Sequence, residues 1–210
     1  MSRGDASSWL EPSAKGAITD VVRAVESKTN AELVVMVRAA AATHRHVDLG
    51  FGALLAFLAV LGYVYIPVRF VDDLAPPAIA LCFVSGVMFS NAIDALKRSL
   101  LSRSARRAAV ALSARAAFVD QRIGSTRERV GVLVYLALFE REAEVLADVG
   151  IDTAKLGAPW RTAVDRIEAV ARNAGTITEL GAALGALGEA LAIAVPKTEN
   201  DVNELPDEVA

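Results

Sequence analysis

The chain has 210 residues, a net charge of −3 at neutral pH and 54% hydrophobic residues, with a mean hydropathy of +0.40. This balance excludes a general electrostatic case for nucleic-acid binding and is high in apolar residues for a soluble domain. A single cysteine, Cys82, excludes an intrachain disulfide and a Cys-based metal framework, and the only histidines are His44 and His46.

Met1–Thr19 is polar and mixed in charge, without the apolar core of a secretory signal, so the first apolar helix is expected to be retained. Pro12-Ser13 starts, and Thr29-Asn30 stops, a short amphipathic helix over about residues 13–28, with Ile18, Val21, Val22 and Val25 on its apolar side. Glu32–Arg38 is apolar and β-branched, a buried strand. His44 and His46 offer only two metal ligands and are read as interfacial residues near lipid headgroups.

Leu49–Val68 and Leu74–Ile93 are two runs of 20 residues without a charge. Each is long enough, as a helix, to cross a hydrocarbon core of about 30 Å. Only Arg69–Asp73 separates them, which predicts a tight transmembrane hairpin. Tyr63 and Tyr65 sit where an interfacial aromatic belt would fall. Pro76 and Pro77 occupy the first turn of the second helix. Gly86 and Ser90 are a small pair, four residues apart, that permits close helix approach. Lys97, Arg98, Arg103, Arg106, Arg107 and Arg115 follow the hairpin, and no acidic residue falls within Lys97–Val119. The positive-inside rule then places both termini in the cytoplasm and the loop outside, as a multi-pass inner (plasma) membrane protein. The basic stretch also reads as an amphipathic helix, with Leu101, Ala105, Ala108, Leu112, Ala116 and Val119 on one side and arginines for anionic headgroups.

Val130–Phe139 is the strongest strand pattern in the chain. Glu140-Arg141 is a tight turn, and Glu142–Val149 a strand whose wet face carries Glu142 and Glu144 beside Glu140. Pro159-Trp160 opens a helix with Trp160, Val164, Ile167 and Ala171 in line. Thr176 and Glu179 form a capping box for a last helix running to about Val195. Its apolar side is Ile177, Leu180, Leu184, Leu187 and Leu191. Gly181, Gly185 and Gly188 permit close packing against a sheet or the membrane. Residues 197–210 form an acidic tail.

The expected fold class is α/β. Residues 13–38 and 97–195 form one discontinuous domain, a small sandwich of helices about a sheet, with the hairpin (49–68 and 74–93, together 49–93) inserted after the first strand.

Four stretches resemble the TPM domain family, and within it a membrane-inserted bacterial subgroup. They are Thr29–Val35 (TNAELVV), Arg129–Tyr135 (RVGVLVY), Phe139–Ile151 and Asn203–Asp207. The resemblance implies a compact α/β/α sandwich. It also implies phosphatase activity in some members, metal binding in others, and maintenance of membrane complexes in others.

The residues themselves carry no G-x-S-x-G, P-loop or G-x-G-x-x-G pattern. Glu32, Asp148 and Asp152 converge at one sheet end if the strands pair as drawn, as oxygen ligands for a divalent cation such as calcium or magnesium, with Arg141 available to support a phosphoryl group. Three functions remain open. The first is a membrane-anchored module that binds membrane or envelope partners: the lipid bilayer, other membrane proteins, and no nucleic acid. The second is a metal-assisted phosphatase near the membrane surface, by analogy with the family. The third is a lipid-surface sensor using the basic helix.

Overall fold

The structure is a computed structural model and describes residues 8–66 and 72–198. Most of the expected loop Arg69–Asp73, the last two residues of the first expected span and nearly all of the acidic tail, Asn203–Asp207 included, lie outside the described residues.

The described residues form a mixed α/β protein that is mostly helical. In order the elements are α1 (Pro12–Glu26), β1 (Glu32–Arg38), α2 (Arg45–Tyr65), α3 (Ala75–Ala92), α4 (Asp94–Leu100), α5 (Arg103–Asp120), β2 (Gly131–Ala137), β3 (Glu142–Ala147), α6 (Thr153–Asn173) and α7 (Ile177–Ala194). The chain divides into two compact units. One comprises the residues up to Ala42 and from Ser104 onward, the other Thr43–Arg103.

In the first unit, three strands pair in the order β1-β2-β3. β1 and β2 are parallel, with Glu32 opposite Gly131, and β2 and β3 are antiparallel, with Val132 opposite Ala147. Side chains alternate across the sheet. Leu33, Val35, Val132, Val134 and Leu136 face one core with Ile18 and Val22 of α1, Ile167 of α6 and Leu184 of α7. Val34, Met36, Leu133 and Tyr135 face the other with Val110 and Ala114 of α5. Every residue of β2 is buried, because a central strand covered on both faces must be apolar throughout.

Helix α7 turns Leu180, Leu184, Leu187 and Leu191 fully inward. Two of its three glycines, Gly181 and Gly188, pack on a helix, α1, in place of the expected sheet or membrane, and Gly185 faces open space. A Cβ on Gly188 would stand 2.7 Å from a Val25 methyl, and one on Gly181 3.3 Å from a Val21 methyl. The Thr176–Glu179 capping box is formed. Helix α6 starts earlier than Pro159, at Thr153, but is broken at Gly157 (φ 61). Pro159 therefore sits just after the break, where a missing N–H costs little.

Glu140 and Glu142 do not form a wet strand face. They are 0% and 3% exposed. The Glu140 carboxylate accepts hydrogen bonds from the Ala41 amide (3.0 Å) and the Ala42 amide (3.4 Å). Glu142 pairs with Arg107 at 3.4 Å. Period-two alternation marks the faces of a strand without showing that α5 covers this one.

In the second unit, α2 and α3 pack against each other, and α4 follows. The expected single basic helix is two helices, α4 and α5, separated at Leu101-Ser102.

Candidate functional site

Of the three acids expected to share a metal, Glu32 and Asp148 lie toward one end of the sheet, and Asp148 and Asp152 are each held by other partners. Glu32, which opens β1, and Asp148, which directly follows β3, flank Gly131 from either side. Two inter-strand spacings put about 10 Å between them. The space over Gly131 is filled: a Cβ there would come within 2.2 Å of the Ile123 carbonyl oxygen and 2.7 Å of its side chain. Glycine is needed at this point because the turn Ile123–Ser125 rests directly on the strand.

Asp148 is held by a guanidinium fork. Arg129 Nε and Nη2 donate to its two carboxylate oxygens at 2.6 and 3.0 Å, and the Val149 amide adds a third bond at 2.8 Å. The Arg129 hydrogen bond above all lowers the Asp148 pKa below the ordinary carboxylate value, and the same bond raises that of Arg129. Asp152 is the N-cap of α6. It accepts from the Lys155 amide at 3.2 Å, and that bond is the first cause of its lowered pKa. Among the described residues no three His, Cys, Asp or Glu side chains are grouped to hold a metal ion. His44 and His46 meet edge to face, with centroids 6.1 Å apart. Arg141 sits at the β2–β3 turn with φ 53.

The other unit carries an unusual surface. Helices α2 and α3 have 21 and 18 residues, and both are long and apolar enough to cross a membrane; α7 also meets that standard by length and composition. The distribution of side chains separates them. On α7 Leu180, Leu184, Leu187 and Leu191 point inward, and only Ile193, in its last turn, is widely exposed. On α2 and α3 they point outward: Phe57 is 58% exposed, Leu81 66% and Met88 67%, with Leu54, Leu58, Val64, Val84 and Phe89 similarly open. The buried residues of this pair are small or polar: Asp48 and Gly52 on α2, Gly86 and Ser90 on α3. A Cβ on Gly52 would stand 2.8 Å from the Phe83 carbonyl oxygen. Phe51 stacks on Phe89 at 6.0 Å beside this contact.

One polar cluster closes the end of the pair. The Ser90 hydroxyl donates to Asp48 Oδ1 at 2.9 Å, and Lys97 Nζ to Oδ2 at 2.6 Å. The Asp48 and Lys97 side chains are 10% and 12% exposed. Sequence reasoning singled out Gly86, Ser90 and Lys97 but missed Asp48 and Gly52. The signal was present: Asp48 and Gly52 are four apart, as are Gly86 and Ser90, so each pair shares one side of its helix. An antiparallel hairpin sets Asp48 against Ser90 and Gly52 against Gly86.

No protein-family model matches the chain, and no curated protein matches it. Among solved structures it is similar to the NMR structure of the BA42 protein from the psychrophilic bacterium Bizionia argentinensis, with a TM-score of 0.55 and 17% identity over 93% of this chain and 90% of that one. At that identity the likeness is one of fold.

Proposed function

We propose that this chain is a membrane-anchored, TPM-like module: an α/β/α sandwich with a transmembrane hairpin, α2 and α3, inserted after its first strand. The hairpin crosses the plasma membrane, and the sandwich works on the cytoplasmic side by binding other membrane proteins.

The observation that carries this reading is the inverted packing of α2 and α3, with small residues between the helices and large apolar ones outside. Water penalises that arrangement, by about 1.5–3 kcal/mol for each large side chain left exposed. Lipid does not, and in lipid close backbone approach through Gly and Ser is a main source of helix association. Helix α7, of similar composition, packs the opposite way and belongs to the sandwich core. The cytoplasmic side is supported by the cations after α3, against Arg69 with Asp72 and Asp73 between the helices. A binding role, in place of catalysis, is supported by the mutual satisfaction of Asp148 with Arg129, Asp152 with Lys155, and Glu142 with Arg107.

The test is alkaline carbonate extraction of membranes from cells expressing the full chain. An integral hairpin stays with the pellet until detergent is added. Release by carbonate alone would rule out the spanning hairpin.

A further inference from the structure

Helix α5 is apolar on two opposite sides. The side turned to the sheet holds Val110 and Ala114. The outward side holds Ala105, Ala108, Leu112, Ala116 and Val119, which recur at steps of three and four and so form one stripe. All five are exposed, Leu112 by 70% and Val119 by 72%. A helix laid on a sheet needs one apolar side, and a second is a liability in water. Basic residues border the stripe. Arg115 precedes Ala116, Arg122 follows Val119 by three, and both are exposed. Seven Lys or Arg and one acid, Asp120, fall within residues 97–122.

We propose that this outward face of α5 lies in the plane of an anionic lipid surface, with Leu112 and Val119 in the acyl boundary and Arg115 and Arg122 at phosphate oxygens. This rests on the membrane reading above and adds the lipid class. Charge complementarity selects the occupant. A nucleic acid would satisfy the arginines and leave Leu112 and Val119 in water. A second copy would bring two arginine-bordered faces together. With only two large apolar residues the stripe has low affinity of its own. An anchored hairpin in the same chain supplies the high local concentration at which a weak contact is occupied.

The test uses the full chain in lipid nanodiscs, one set neutral and one rich in phosphatidylglycerol, with Cys82→Ala and a single environment-sensitive fluorophore on Ala116→Cys. Ala108→Cys provides a second position on the same stripe, and Leu81→Cys on α3 reports hairpin insertion. The expected result is blue-shifted emission at Ala116, with several-fold stronger quenching by nitroxide-bearing lipids in the anionic discs, reduced by Arg115→Gln with Arg122→Gln. Water-like emission at both stripe positions, with Leu81 quenched, would overturn this proposal and leave the hairpin standing. Loss of quenching at Leu81 as well would remove the membrane reading. Equal quenching in both lipids would overturn headgroup recognition, and a shift that follows protein copies per disc would identify a second copy as the occupant.

Discussion

The Cα of Gly52 lies 2.9 Å from the position a Cβ on Gly86 would occupy. No side chain fits between the two helices at this crossing, so Gly86→Leu should force them apart. The expected cost is about 1–3 kcal/mol, read as a lower midpoint for unfolding of the purified protein in detergent. Gly50 is the control: nothing lies within 4 Å of a Cβ there, so Gly50→Ala should leave the midpoint unchanged or raise it.

Buried Asp48 and Ser90 and the partly buried Lys97 form a set in which each partner depends on the others. Asp48→Ala leaves the Lys97 ammonium without its carboxylate, and Lys97→Met leaves the carboxylate without its cation. Each single change should cost about 3 kcal/mol. The double change should cost clearly less than the two singles together, since no unpaired charge is then left buried. A double-mutant cycle by denaturant unfolding checks this. Additive losses would contradict a direct pair.

The Arg129–Asp148 fork predicts an acid limb. A carboxylate whose folded pKa is lowered stabilises the fold fully above its unfolded value of about 3.9. That stabilisation is lost as pH falls through the lowered folded value. Thermal midpoints of wild type and Arg129→Met should therefore differ by a constant amount near neutrality and converge in strong acid. Curves that stay parallel to the acid end would show that the fork adds nothing through Asp148.

Glu140 holds the amides of Ala41 and Ala42 at the edge of the sheet unit, where the chain departs after β1. Charged hydrogen bonds of this kind contribute about 1.5–3 kcal/mol. Glu140→Ala should lower stability by about that amount and raise amide hydrogen exchange at Ala41 and Ala42. Unchanged exchange at those two residues would show that the carboxylate does not order this segment.

The apolar helix pair and the three strands were legible because each is a local run: unbroken apolar residues for α2 and α3, dense β-branched residues for β1 and β2. What required the structure was the choice of partner. Asp48 looks like a border residue until Ser90 and Lys97, 42 and 49 positions away, are brought to it. Glu140 and Glu142 alternate like a solvent face, yet α5 and the Ala41–Ala42 segment cover them. The stripe from Ala105 to Val119 has the right periodicity to pack, but Val110 and Ala114 are the residues turned to the sheet, and periodicity alone does not rank two apolar sides. Glu32 and Asp148 reach the same end of the sheet as the strand order implies. Two strand spacings across Gly131 hold them apart, and the Ile123 turn fills the space over that glycine.

The proposed topology has the α2–α3 hairpin across the bilayer and the α/β unit on the cytoplasmic side. It is tested most directly by paired single-cysteine variants in a Cys82→Ala background. Gly16→Cys lies on the exposed side of α1, where a side chain has open space. Leu74→Cys lies just before α3, 63% exposed. Intact cells are treated with a membrane-impermeant thiol reagent. The expected result is labelling of Leu74→Cys in intact cells and of Gly16→Cys only after lysis. Labelling of Gly16→Cys in intact cells, with Leu74→Cys protected, would contradict the orientation, and identical labelling of the two positions would contradict the spanning hairpin.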